Sequence, residues 1–370
     1  MSSPAPASAD WIDQRQTLHN WLATLPADAV IGVDTEFMRS NTFYAQLALL
    51  QLGWNGHYAL VDPLAFDLGD TLQPTLGSGM VTVMHSASED LDTLAPLLPA
   101  GPHTLFDTQI AAAFVGMGLG ISYRALVIEL TGVELDKGET RSDWLRRPLT
   151  DSQRSYAALD VVYLQTLHEQ LATRLQQRGR TAWHAEDCAR LKQRATRRDG
   201  DPQPQHTLHG AAEWPAPRQA LLRRLLLWRD VSARLLDVPR SWLLDDALAL
   251  SLVHEPPGSL AELEQRSRGQ RALRSGPRKE LFALFASPVS DEELAATAPI
   301  AGHAQGESKK SLNAMKQAVD TLALELDLPS GLLCPRKVLE AFAVTAVWPD
   351  FLDGWRRDLL HARLTDLLPG

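Results

Sequence analysis

Asp34 and Glu36 stand two apart in the run VIGVDTEFMR, which otherwise has the composition of a buried strand. Residues two apart on a strand leave the same face, about 7 Å from one another along the chain. Both carboxylates therefore point to one place beside the apolar Val30, Ile31 and Val33. Ionised groups next to a core are costly unless something compensates them. The compensation is either a neighbouring cation such as Arg39 or a metal ion, which two carboxylates so spaced can share or, for two ions, bracket.

Two further stretches carry acids in comparable places. In MHSASEDLDTL a strand ends at His85, a serine-rich turn follows, and Asp90 falls in the first turn of a helix. A helix N-terminus favours an acid there for purely electrostatic reasons, and Glu89 and Asp92 share that explanation. In YAALD, Tyr156 and Asp160 are four apart on a helix and so lie on one face. Leu159, Tyr163 and Leu167 make the adjoining stripe apolar, so Asp160 borders a core face and needs a partner, either a basic side chain or a metal.

The elements that must position these residues alternate in type. VIGVDTEF, YAQLALLQLGW (44–54) and HYALVD (57–62) read as strands with short polar breaks, hence as an antiparallel meander. MVTVMH (80–85) is a further strand running into the helical pattern SASEDLDTLAPLL. LFDTQIAAAFVG and SYRALVIELTG read as helices. DSQRSYAALDVVYLQTLHEQLATRLQQRG reads as one long helix, opened by a capping box of Thr150 and Gln153. The pattern is α/β with a mixed sheet rather than strict βαβ alternation.

From about Cys188 to Trp214 the composition turns to Arg, Asp, Gly, Pro, Gln and His, which is that of a linker. Only helical periodicity follows. WRDVSARLLDVPRSWLL (228–244) and AVDTLALELDLPSGLLC (318–334) match at a constant offset: Asp230, Ala233, Asp237, Pro239 and Leu243 correspond to Asp320, Ala323, Asp327, Pro329 and Leu333. A repeat of that length predicts two small helical domains in tandem.

Taken together, VDTEF, HSASEDL and YAALD resemble the three motifs of the DEDD superfamily of 3′–5′ exonucleases, in the branch whose third motif carries a tyrosine. DTEFMRSNTFYAQLALLQL, HSASEDLDTL, DTQIAAAF, LDKGETRSDWLRRPLT and YAALDVVYL narrow the likeness to the ribonuclease D family. The helical repeats look like tandem helicase-and-RNase-D C-terminal (HRDC) domains, the second less clearly than the first. The resemblance covers the chain after its first twenty or so residues.

It implies a ribonuclease H-like α/β exonuclease domain with a mixed sheet over 1–187, a linker over 188–212, and two all-α HRDC-like domains over 213–292 and 293–370. It further implies two divalent metal ions. Asp34, Glu36 and Asp160 would hold one; Asp34, with Asp90 through water, would place the other, and Tyr156 would orient the attacking water. Elementary chemistry agrees. Two cations about 3.5–4 Å apart supply both a nucleophile and relief of charge on the leaving oxygen. Carboxylate-only ligation suits Mg²⁺ or Mn²⁺ rather than zinc. The implied reaction releases 5′-mononucleotides from an RNA with a free 3′ end, with tRNA precursors and other small stable RNAs as substrates. A DNA exonuclease acting in repair, or an inactive nucleic-acid adaptor, would share the motifs.

Candidate substrate contacts are Lys137 and Arg141, ahead of the catalytic helix, with Arg146 and Arg147 weaker; an ordinary basic loop would look the same. His85 at the strand end and Phe37 after the acids are further candidates, although a histidine or phenylalanine so placed is more often a structural residue. Arg and Lys in EQRSRGQRALRSGPRKELF (264–282) form a basic stretch suited to a nucleic-acid backbone or to solvent.

The charge distribution fits this division. The net charge is −9, yet residues 186–290 carry 17 Lys and Arg against 13 Asp and Glu, while residues 1–185 carry 11 against 20. The apolar fraction of 45% and charged fraction of 22% are those of a globular protein. No apolar run reaches the roughly 20 residues of a membrane span, and MSSPAPASADW lacks the regions of a signal peptide. Cys188 and Cys334 match no metal or redox spacing. The expectation is a cytoplasmic monomer with inert, reduced thiols.

Overall fold

The computed structural model describes residues 8–135, 139, 142–197 and 200–368. Six strands, β1 (Asp10–Ile12), β2 (Val30–Met38), β3 (Gln46–Trp54), β4 (His57–Val61), β5 (Val81–Met84) and β6 (Thr104–Asp107), form one sheet in the order β1–β4–β3–β2–β5–β6. The expected meander is present: β2, β3 and β4 pair antiparallel, while β5 and β6 run parallel to β2 and β1 runs parallel to β4. Asn55 (φ 47°) and Gly56 (φ 81°) turn β3 into β4, because a two-residue hairpin loop matched to strand twist needs positive φ at both positions.

Alternation along β2 splits its side chains between two layers. Ile31 and Val33 join Leu18, Leu22, Leu91 and Leu94 on one face. On the other, Val161, Leu164 and Leu167 cover the sheet, and Ala157 packs with Leu49 and Leu60. The sheet is thus buried on both sides, and the acids at the end of β2 lie at the rim of the helix-covered face.

Three local expectations change. The segment expected to be helical from Leu105 begins as a strand; the helix starts only at Thr108, where the Asp107 side chain caps it by accepting from the Gln109 and Ile110 amides. The expected long helix is two, Asp151–Val162 and Leu164–Gln177. Their junction carries no proline or glycine; instead the Tyr123 hydroxyl is inserted into the hydrogen-bond ladder, donating to Leu159 O at 2.9 Å and accepting from the Tyr163 N–H at 3.3 Å. Finally, the helix Thr181–Thr196 continues into the stretch of linker composition. Its polar residues are tied down by the α/β part: Lys192 donates to Pro102 O and His103 O, and Arg194 to Ser88 Oγ.

The C-terminal half is helical throughout. Helices Ala216–Leu236, Asp246–His254, Leu260–Arg266 and Ser275–Ala286 enclose a core of their own around Leu222, Leu225, Leu252 and Leu281. Helices Gly306–Leu326, Arg336–Thr345 and Trp355–Thr365 instead share one continuous core with the α/β part, Met315, Leu339 and Phe342 running on into Phe114 and Leu171. A buried ion pair crosses that junction: the two terminal Arg356 guanidinium nitrogens donate to the two Asp187 oxygens at 2.6 Å.

The ninety-residue offset is a structural repeat. Both long helices end on an aspartate with left-handed backbone, Asp237 at φ 48° and Asp327 at φ 49°, followed by proline and a single helical turn. Each aspartate meets the α/β part. Asp237 Oδ1 accepts from the Phe43 and Tyr44 amides at 3.0 Å, and Asp327 pairs with Arg178 at 2.7 Å. No helix among the described residues is long and apolar enough to cross a membrane, and both cysteines are free and buried.

Candidate active site

The strand–helix contact that builds the site depends on absent side chains. Gly32 and Gly53 are partners in the β2–β3 ladder. A Cβ on Gly32 would lie 3.1 Å from Leu164 Cβ, and one on Gly53 would lie 3.1 Å from Val161 O. Both are tighter than ordinary Cβ contacts, so a side chain at either position would push the helix junction outward. Asp34, two residues along, then faces the helix that carries Asp160.

Ligand oxygens of Asp34, Glu36 and Asp160 all lie within 4.8 Å of one another. The start of the Asp160 helix is fixed by the capping box: Thr150 Oγ1 accepts from the Gln153 amide at 3.1 Å, and Gln153 Oε1 accepts from the Thr150 amide at 2.9 Å. Tyr156, one turn before Asp160, is half-buried against Trp144, ring centroids 6.1 Å apart.

Asp90 is not one of that group of three, but its charge acts on all of them. It is buried, and Oδ1 accepts a hydrogen bond from the Thr35 hydroxyl, the side chain between the two strand acids. The turn before its helix is held by Asp107, whose carboxylate accepts from the Ser86 and Ala87 amides as well as from Gln109 and Ile110. Four amide donors on one buried carboxylate fix where two helices begin.

The acids crowd one another. Burial, and then the charges of Asp160 and Asp90, push Glu36 up to about 8. Burial and Asp90 push Asp160 up to about 8, and burial with the neighbouring acids holds Asp34 well above the carboxylate range. Asp90 rises to about 6 through burial, with the Thr35 bond working against the rise. Burial and the charges of Asp160, Glu36 and Asp34 likewise raise Tyr156, keeping its phenol protonated. Among the described residues no cationic side chain offsets the charge at Glu36 or Asp160; the charge of Arg39 acts on Asp92 instead. A donor set of carboxylate oxygens under mutual repulsion fits a hard divalent cation.

Four of the other candidate residues are described. His85 is engaged within the fold: Nε2 donates to Ile121 O at 3.1 Å, and Nδ1 lies 2.9 Å from Thr108 Oγ1. Phe37 is half-buried and pairs with Leu47 just past an irregularity in the β2–β3 ladder; by alternation it shares the Thr35 face rather than that of Asp34 and Glu36. That irregularity leaves Ala48 O free to accept from Arg147, whose guanidinium also holds Asp62 through two bonds of 2.7 and 2.8 Å. Arg147 is thus spent on structure, whereas Arg146 is exposed. Lys137 and Arg141 lie outside the described residues.

Sequence reasoning missed Thr35, Asp107 and Tyr123. Asp107 alone left a local sign, an acid placed to cap TQIAAAF. Thr35 and Tyr123 act on residues 55 and 36–40 positions away, and no local pattern announces such contacts.

Comparison with known proteins follows the same lines. A family model described as 3′–5′ exonuclease matches residues 9–176. The chain is 43% identical over 364 residues to ribonuclease D of Xanthomonas oryzae pv. oryzae, covering 97% of this chain and 98% of that protein. It is 30% identical over 348 residues to ribonuclease D of Escherichia coli, covering 91% and 92%. The crystal structure of E. coli RNase D, described as an exoribonuclease involved in structured RNA processing, superposes with a TM-score of 0.82 at 27% identity, covering 97% of this chain and 98% of that one.

Proposed function

The chain belongs to the ribonuclease D family, and from that premise we propose that it is a 3′–5′ exoribonuclease of the tyrosine-bearing DEDD type, working with two divalent cations, Mg²⁺ or Mn²⁺. One observation carries the site: acids from a strand and from a helix more than a hundred residues later bring their oxygens within 4.8 Å of one another. In this reading Asp34, Glu36 and Asp160 hold one ion, and Asp34, with Asp90 through water, places the second. Bound there, divalent ions would supply charge neutralisation at the scissile phosphate and a more acidic water.

The chain's own groups do the rest. The strand acids and Asp160 fix where the terminal phosphodiester lies. Tyr156, kept neutral, is suited to hydrogen-bond and orient the attacking water rather than to take its proton. Hydrolysis breaks the bond from phosphorus to the 3′ oxygen of the preceding nucleotide. It releases a 5′-mononucleotide and a chain shortened by one. The natural substrates in this proposal are 3′ ends of tRNA precursors and other small stable RNAs, processed in the cytoplasm by a monomer. The two helical repeats, HRDC-like domains over 213–292 and 293–370, serve binding and positioning, and residues 1–187 are the exonuclease domain.

Digestion of matched 5′-labelled RNA and DNA oligonucleotides with Mg²⁺ or Mn²⁺ tests the reading. A ladder shortening from the 3′ end of RNA is expected. Asp160→Asn is expected to remove nearly all activity and Tyr156→Phe to leave a measurable remnant. Equal, modest losses in both would contradict their assigned roles, and preferential digestion of DNA would contradict the substrate.

A further inference from the structure

We infer that Tyr123 is a positioning residue for Asp160, its hydroxyl standing in for a main-chain hydrogen bond and so fixing the helix break that aims that carboxylate at Asp34 and Glu36. The inference rests on the reading of the acid cluster as a divalent-ion site.

In an uninterrupted helix the Tyr163 N–H would bond to Leu159 O. Here the Tyr123 phenol oxygen takes both partners, donating to Leu159 O at 2.9 Å and accepting from Tyr163 N–H at 3.3 Å. Tyr163 departs from helical geometry accordingly, with φ −97° and ψ −7°. Asp160 is the residue next to Leu159. The junction directly after it, Val161 to Leu164, is the part pressed onto Gly32 and Gly53. A straight helix would move either that contact or the carboxylate. A tyrosine that merely filled the core would not need its hydroxyl; this one spends both hydrogen-bonding roles on the backbone of one helix.

The phenol is itself held. His85 and Gln109 both donate to Ile121 O, at 3.1 and 3.0 Å, which fixes the chain two residues before Tyr123. The His85 ring lies edge-on to the Tyr123 ring with centroids 5.6 Å apart. Ser122 Oγ accepts from the Ala125 amide and caps the helix that Tyr123 begins. His85 thus bears on the site through Tyr123.

Tyr123→Phe keeps the ring and removes only the hydroxyl. Mn²⁺ binding to the intact chain, followed by the paramagnetic resonance of free Mn²⁺, is compared with wild type and with Ser122→Ala. The latter weakens the same helix through its cap and leaves the inserted hydroxyl in place. Residues that orient metal ligands typically change affinity by roughly 10–100-fold, so Tyr123→Phe is expected to weaken Mn²⁺ binding about tenfold or more. Ser122→Ala is expected to lower the melting temperature in chelator without changing Mn²⁺ affinity. Wild-type affinity in Tyr123→Phe, or parallel losses of affinity and stability in both variants, would overturn the inference. Absence of Mn²⁺ binding by the wild-type chain would overturn the ion-site reading itself and this inference with it.

Discussion

The Thr35 hydroxyl donates to Asp90 Oδ1 across 55 positions of sequence, joining the strand that carries two of the acids to the helix that carries a third. The bond favours the ionised form and so restrains a carboxyl that burial, with the bond in place, raises to about 6. A hydrogen bond to a charged group is worth roughly 1.5–3 kcal/mol, and a pKa unit corresponds to about 1.4 kcal/mol. In Thr35→Val the acid limb of the rate profile at fixed, subsaturating Mn²⁺ is therefore expected to move up by about one pH unit. Activity at pH 6 falls more than at pH 8; a loss that is constant across pH would show that the hydroxyl does not tune Asp90.

Gly32 and Gly53 set how near the helix carrying Asp160 comes to the sheet. In Gly53→Ala the new methyl would meet Val161 O at 3.1 Å and Val161 Cβ at 3.2 Å, with backbone on one side that cannot swing away. Overpacking of this kind costs roughly 1–3 kcal/mol. The variant is expected to fold with a lowered melting temperature and to lose activity out of proportion, because Asp160 moves with the helix. Retention of full turnover in a destabilised variant would separate the contact from the site.

Proton linkage gives the acid cluster a sign. Glu36 and Asp160 rise to about 8 in the folded chain against roughly 4 when unfolded, so the folded state binds more protons in between. The stability they allow is present below pH 4 and is lost as pH rises through about 8. In chelator the melting temperature is expected to fall between pH 5 and pH 8.5, and Glu36→Gln to flatten that fall. Mn²⁺ is expected to restore stability most strongly at the alkaline end. A melting temperature in chelator that rises over this range would contradict the crowding.

Arg356 is 1% exposed and bonds both oxygens of Asp187. Removing one partner of a buried pair leaves the other uncompensated, at a cost of roughly 3–5 kcal/mol. Arg356→Met is expected to lower the melting temperature sharply, and Arg356→Met with Asp187→Leu to recover much of the loss. Because the last three α-helices share their core with the α/β part, calorimetry is expected to show the two unfolding together. Separate transitions for them would refute the shared core as an energetic unit.

Much of this was readable from local pattern. The D-x-E spacing put Asp34 and Glu36 on one strand face, the Y-x-x-x-D spacing put Tyr156 and Asp160 on one helix face, and Thr150 with Gln153 marked the helix start. Matching Asp-x-Pro ends disclosed the tandem repeat. The break at Tyr163 was hidden because its cause is a side chain forty positions earlier, in a stretch with no proline or glycine. The helix through residue 196 was hidden because its polar residues find partners on a remote surface, which composition does not record.

Sequence alone determined which residues have the chemistry and which share a face, since strand and helix periods are properties of a few neighbouring residues. The tertiary structure decided that these faces meet. It brought Glu36 to Asp160, tied Asp90 to Thr35, took His85 into the support of Tyr123, and passed the helix junction over two glycines. Those are contacts between distant segments, set by packing the sheet between its two layers, and no window of sequence contains both partners.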